Sequence, residues 1–136
     1  MDDCVFCKIV KGEIPSAKLF EDDKVFSFLD IGPINKGHAL VIPKGHYETI
    51  LDIPDDVLDN LIRTTKKVTK AVKEATSAPG VNNLLNNGEV SGQAVFHAHM
   101  HVIPRFEGDD FKLPWNAKKY GEGEIELMQK KVLEKL

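Results

Sequence analysis

The segment from Pro54 to about position 76 limits the possible folds more than any other part of this chain. Val57, Leu58, Leu61, Ile62, Val68, Val72 and Ala75 recur there at three- and four-residue spacing, which lines them along one stripe of a helix. Pro54 suits the first helical position, and Asp55 and Asp56 complement the positive end of the helix dipole. Lys66, Lys67, Lys70 and Lys73 fill the opposite side and the C-terminal half as a solvated face, and Ser77-Ala78-Pro79-Gly80 ends the run. A helix with one apolar stripe needs an apolar layer to lie on, and the flanking sequence supplies strands.

"AKLFEDDKVFSFLD" alternates around the polar group Glu21-Asp22-Asp23-Lys24, a hairpin signature with Leu19, Val25 and Phe28 among the strand residues. "GHALVIP" (37–43) is a third strand, reached through the Gly-, Pro- and Asn-rich loop "DIGPINKG". After the helix, "GVNNLLNNG" and "QAVFHAHMHVIP" (93–104) read as two more strands joined by "NNGEVSG". "DDCVFCKIVKGEIP" predicts a short N-terminal helix with acidic residues at its start. Its Val5, Phe6 and Ile9 lie on one side, and Gly12 and Pro15 stop it. Ile125, Met128, Val132 and Leu136 place a further helix at the C-terminal end. The stretch 109–123, "DDFKLPWNAKKYGEG", is read as a loop that packs on a partner.

This order predicts an α+β fold with one antiparallel sheet, and the 136 residues carry no repeat or linker that would divide a single domain over 1–136. The formal charge of −3 gives no basic footprint for a nucleic acid backbone. No apolar run reaches membrane-spanning length, and the acidic start "MDDCVFCKIV" is no leader. A cytoplasmic, unprocessed chain is the expectation.

Cys4 and Cys7, the only two cysteines, are spaced C-x-x-C. Three readings stand: half of a metal site, inert thiols, or a redox pair, although no strand precedes them as a thioredoxin-like motif requires. Three of the five histidines, His97, His99 and His101, occupy alternate positions in "AVFHAHMHVIPR". On a strand they share one face, with Ala98, Met100 and Val102 turned toward the helix. An exposed polar face, a metal site and nucleophilic or acid–base chemistry on phosphorus all fit that spacing. The loop "NNGEVSGQ" (86–93) just before it could cradle an anion with its N–H groups, though Asn-Gly pairs are commonly just turns.

Together, "NNGEVSGQAVFHAHMHVIPR", "CVFCKIVKGEIPSAKLFEDDKVFSFLDIGP" and "GHALVIPKGH" resemble the histidine triad (HIT) nucleotide-binding family, whose signature is His-φ-His-φ-His-φ-φ with φ apolar. The resemblance spans residues 4 to about 106. It implies a five-stranded antiparallel sheet with one long central helix, a short N-terminal helix and a C-terminal helix. It implies that His99 is the nucleophile toward the α-phosphorus of a nucleotide, that His101 binds the phosphate and helps the leaving group depart, and that His97 orients the others. Asp30 would take the ribose hydroxyls, and Phe6, Ile9, Phe28 and Ile31 would wall the base. Asn86 and Gln93 would contact phosphate or ribose, and Gly92 would offer its N–H. His38 is read as a supporting hydrogen-bond partner in the nucleotide site, with a purely structural role as the alternative. Some relatives have Ser or Thr where this chain has Ala94, which removes one hydrogen bond to the phosphate.

Members with C-x-x-C near the N-terminus imply one structural zinc, held here by Cys4, Cys7, His46 and His97, a closed shell that argues against zinc-activated water. The family also implies a homodimer joined across the long helix and an edge strand, with Trp115 and the tail helix near the partner's site. The expected activity is hydrolysis or transfer at the α-phosphate of purine nucleoside phosphoramidates, aminoacyl adenylates or dinucleoside polyphosphates, through a nucleotidyl-His99 intermediate. The alternative is a nucleotide-binding regulatory or scaffold protein with little turnover.

Overall fold

A computed structural model describes residues 3–112 and 115–136. Asp2, part of the acidic start expected for the first helix, lies outside them, as do Leu113 and Pro114 of the 109–123 stretch. The elements are α1 (Val5–Val10), β1 (Lys18–Glu21), β2 (Val25–Leu29), β3 (Ala39–Pro43), α2 (Asp55–Thr76), β4 (Gly80–Leu85), β5 (Met100–Arg105) and α3 (Glu124–Leu133). All strand pairs are antiparallel, in the order β1-β2-β3-β5-β4.

The hairpin between β1 and β2 forms because Asp22 accepts the N–H groups of Lys24 and Val25 on one carboxylate oxygen. Its other oxygen accepts Asn60 from α2, so the same side chain ties the turn to the long helix. Helix α2 lays Leu61, Val68 and Val72 on one sheet face, against Val25, Ala39, Val41, Ala98 and Val102. On the other face Phe6 and Ile9 of α1 meet Phe26, Phe28, Leu40 and Ile42. Strands β2 and β3 are thus covered on both sides, which explains why both are buried along nearly their whole length; the one polar residue of the pair, Ser27, donates its hydroxyl to the Leu40 carbonyl. Each fully buried Val, Leu or Phe contributes about 1.5–3 kcal/mol of hydrophobic stabilisation. Val5 lies on the same side of α1 as Phe6 and Ile9, as expected, but is partly exposed there. No helix among the described residues is long and apolar enough to cross a membrane.

Candidate active site

The ladder of β5 begins only at Met100. The expectation of one strand over 93–104 carrying all three histidines is therefore corrected: His101 is in β5, while His97 and His99 occupy an irregular run just before it. Pro43 explains the break, since it has no N–H to carry the pairing past Val41–Met100. The neighbouring groups find other partners: Ala98 N–H donates to the Tyr47 carbonyl at 2.6 Å, and His97 Nε2–H donates to the Pro43 carbonyl at 2.8 Å. The alternation nevertheless survives. Ala98 and Val102 enter the core beneath α2, with Met100 packed against it, while His99 and His101 line a cleft on the α1 side.

Hydrogen bonds fix where each imidazole carries its proton. His99 Nδ1 lies 2.7 Å from the His97 carbonyl, which can only accept, so Nδ1 is protonated and Nε2 keeps the lone pair. The Ile34 N–H donates to His38 Nδ1 at 3.1 Å. His38 therefore carries its proton on Nε2 and donates it to His101 Nδ1 at 2.9 Å. His101 is left with its proton on Nε2. Burial pushes His99 and His38 below the ordinary imidazole value, and pushes His101 down to about 4, so all three are neutral at pH 7. The row thus offers one lone pair and one N–H donor side by side, with ring centroids 4.8 Å apart.

The cleft measures about 310 Å³. Phe6 and Ile9 of α1 form one wall, with Phe28, Asp30 and Ile31 at the end of β2 opposite them. Ile31 is fully exposed at the mouth. The Phe6 ring stands edge-on to His99 at 5.1 Å and to Phe28 at 5.6 Å. One Asp30 oxygen accepts the Gly32 N–H, and the other lies 3.8 Å from His38 Nε2. Asp30, His38 and His101 also bring metal-ligand atoms within 4.8 Å of one another. Their proton arrangement makes this a hydrogen-bonded relay instead, because a cation would need the Nε2 lone pair that His38 lacks while Ile34 occupies its Nδ1.

A second cluster lies behind the histidine row. Ligand atoms of Cys4, Cys7, His46 and His97 all fall within 4.8 Å of one another. His97 Nδ1 is 3.5 Å from Cys4 Sγ and 3.6 Å from Cys7 Sγ, and His46 Nδ1 is 3.4 Å from Cys7 Sγ. With His97 Nε2–H held by Pro43, its Nδ1 lone pair is the atom aimed at the sulfurs. Burial, reinforced by Cys4, raises the Cys7 thiol, which a dication would reverse. Two soft thiols and two imidazoles converging on one point are a donor set suited to zinc.

The HIT domain pattern matches residues 11–108. The chain belongs to the HIT family. It is 42% identical over 138 residues to the adenosine 5′-monophosphoramidase HNT1 of Candida albicans, covering 98% of this chain and 91% of that one. Its fold is that of SMU.412c from Streptococcus mutans UA159, with a TM-score of 0.94, 41% identity, and 99% and 86% of the two chains covered. A zinc-bound histidine triad family protein from Mycobacterium smegmatis aligns with a TM-score of 0.76 at 36% identity, covering 86% of this chain and 85% of its own. Cys4, Cys7, His46 and His97 fit the zinc-containing C-x-x-C branch of the HIT proteins.

Three residues expected around the phosphate do not line the cleft of this HIT protein: Asn86, Gly92 and Gln93. Gln93 is buried and occupied at both ends, accepting the Gly88 N–H while donating to the Glu48 and Val95 carbonyls. Gly92 N–H closes a turn onto the Glu89 carbonyl, and Asn86 packs beside it. The ring of His97 also serves the cysteine cluster and Pro43; what it supplies to His99 is its backbone carbonyl. Ser16 and Leu40 line the cleft without having been anticipated. Leu40 could have been found, because it pairs directly with His101 across β3 and β5.

Proposed function

We propose that this protein hydrolyses or transfers the nucleotidyl group of purine nucleoside phosphoramidates, with aminoacyl adenylates and dinucleoside polyphosphates as further substrates. Phe6, Ile9, Phe28 and Ile31 hold the base and Asp30 the ribose hydroxyls. The main support for His99 as nucleophile is the bond from its Nδ1–H to the His97 carbonyl, which leaves the Nε2 lone pair free. Attack forms a bond from Nε2 to the α-phosphorus and breaks the bond from phosphorus to the leaving amine. The amine departs with the electron pair and takes a proton from a water whose oxygen accepts from His101 Nε2–H, so that His101 stays neutral throughout. The His97 carbonyl stabilises the resulting imidazolium through Nδ1–H. The hydroxide left by that water then attacks the phosphorus and displaces His99, giving the nucleoside monophosphate and neutral His99. Asn86 contacts the phosphate or ribose from a loop whose shape Gln93 and Gly92 hold through their own hydrogen bonds.

A structural zinc held by Cys4, Cys7, His46 and His97 would anchor α1 and fix the His97 backbone, and supplies no reacting atom. The working unit is a homodimer in the cytoplasm. Support for the substrate class comes from the Candida albicans relative, named an adenosine 5′-monophosphoramidase.

The deciding experiment is an acid-quenched single turnover with α-labelled adenosine phosphoramidate, followed by peptide mapping. Label is expected on His99, and His99→Asn should lower turnover by several orders of magnitude, on the scale of other nucleophile removals. Label on His97 or His101, or near-native turnover by His99→Asn, would overturn the reading.

A further inference from the structure

We propose that Asn35 is a positioning residue: with Asp109 and Arg105 it clamps the turn at 31–38 to the end of β5, and so keeps the proton of His101 on its cleft-side nitrogen. The proposal rests on the reading of His101 as the N–H hydrogen-bond donor in the cleft. None of these three side chains lines the cleft, so they act through His38.

Arg105 ends β5 and grips Asp109 with two parallel bonds of 2.8 Å, Nε to Oδ2 and Nη2 to Oδ1. The same guanidinium reaches Asn82 on β4 at 2.7 Å and the Phe111 carbonyl, and lies over the Phe111 ring. A planar fork held at this many points is a rigid mount. Asp109 Oδ2 also accepts the Asn35 Nδ2 at 2.9 Å. The other hydrogen of that amide goes to the Pro104 carbonyl, again at 2.9 Å. Asn35 thereby fastens its turn to two points of the β5 end, while its own carbonyl accepts the His38 N–H at 3.0 Å.

The turn is also pressed from the far side. Gly37 has φ +100°, and a Cβ there would come within 2.6 Å of Thr76 Cγ2 and 3.6 Å of the Pro104 ring. Between Asn35 and Gly37 the chain has little freedom, and the preceding residue, Ile34, presents the N–H that occupies His38 Nδ1. If Asn35 lost its two donors, the turn could lift and withdraw that N–H. His38 could then carry its proton on Nδ1 and accept from His101 Nδ1–H. His101 would face the cleft with a lone pair, the wrong form for donating a hydrogen bond there. Arg105 holds the Asp109 carboxyl well below the usual carboxylate range, so the clamp stays charged throughout the neutral range.

The test is long-range proton–nitrogen spectra of full-length protein labelled at histidine, at neutral pH and without substrate. In the native chain His101 should carry its proton on Nε2. In Asn35→Ala and in Asp109→Asn it should shift to a mixture of both tautomers, with the His46 and His97 signals unmoved. The kcat for amine release should fall about 10- to 100-fold, the scale typical of outer-shell partners of functional histidines. Unchanged His101 tautomer in the folded variants overturns the proposal; should one variant fail to fold, the other decides. A native spectrum with the proton on Nδ1 also overturns it, at the level of the relay. Because these spectra need no substrate, they fail separately from the label-mapping experiment that tests the reaction itself.

Discussion

His101 refuses a proton that the unfolded chain would accept. Burial lowers it from the ordinary 6.5 to about 4, His99 and His38 add to the shift, and Asp30 opposes it. The unfolded state takes up its proton near pH 6.5 and the folded state only near pH 4, so stability falls as pH falls through that window and levels below it. Melting temperature should therefore drop between pH 6.5 and 4, and less steeply in His101→Gln. Equal slopes for the two proteins would remove His101 from the account. Asp30 makes a different prediction. One of its oxygens is taken by the Gly32 N–H and the other is directed past His38 at the cleft's edge. Charge-assisted hydrogen bonds contribute roughly 1.5–3 kcal/mol, so Asp30→Ala should weaken adenosine monophosphate binding about 10- to 100-fold. A 2′,3′-dideoxy analogue should be barely affected. Parallel losses for both ligands, read by calorimetry, would show that Asp30 does not meet the sugar.

Helix α1 has six residues, too few to persist alone in water. It is kept by Phe6 and Ile9 in the apolar layer and by Cys4 and Cys7 against the two histidines. Protein prepared without chelator should contain about one zinc per chain, and Cys7→Ser should lose metal and melt lower while retaining some turnover. A metal-free native protein whose melting ignores chelators would refute this. The elements differ in how plainly the sequence announced them. The stripe from Val57 to Ala75 made α2 readable almost to its ends, because its register depends only on local spacing. The start of β5 was hidden, because it depends on Pro43, more than fifty positions away, failing to offer a hydrogen. The loop at 86–93 was readable as a turn-rich segment, but nothing local says that the Gln93 amide will be consumed by Gly88, Glu48 and Val95. Side-chain type was legible at the site; side-chain engagement was not.

The sheet has open edges at β1 and β4, and α3 leaves Ile125, Met128 and Val132 exposed. Unpaired edges and apolar stripes of this kind favour association. Sedimentation equilibrium should give twice the 15.2 kDa chain mass, and a persistent single-chain mass at micromolar concentration would exclude the dimer. At this scale the sequence order already told the α+β class and the antiparallel sheet, because each helix and strand pattern was local, but not the strand order β1-β2-β3-β5-β4. Nor could it tell how far apart in the chain the supports of one residue would be. His97 meets Cys4 across 93 positions and Cys7 across 90. During synthesis the N-terminal helix emerges early and waits for its anchor until most of the chain has been made. The anchor arrives in the same five residues as the nucleophile His99 and its neighbour His101. Phe6 and Ile9 can settle on β2 and β3 well before that, so only the sulfurs wait. The fastening of the first turn is therefore a late event in assembly, and the reactive row completes itself in that same step, leaving no half-built chain with a working centre.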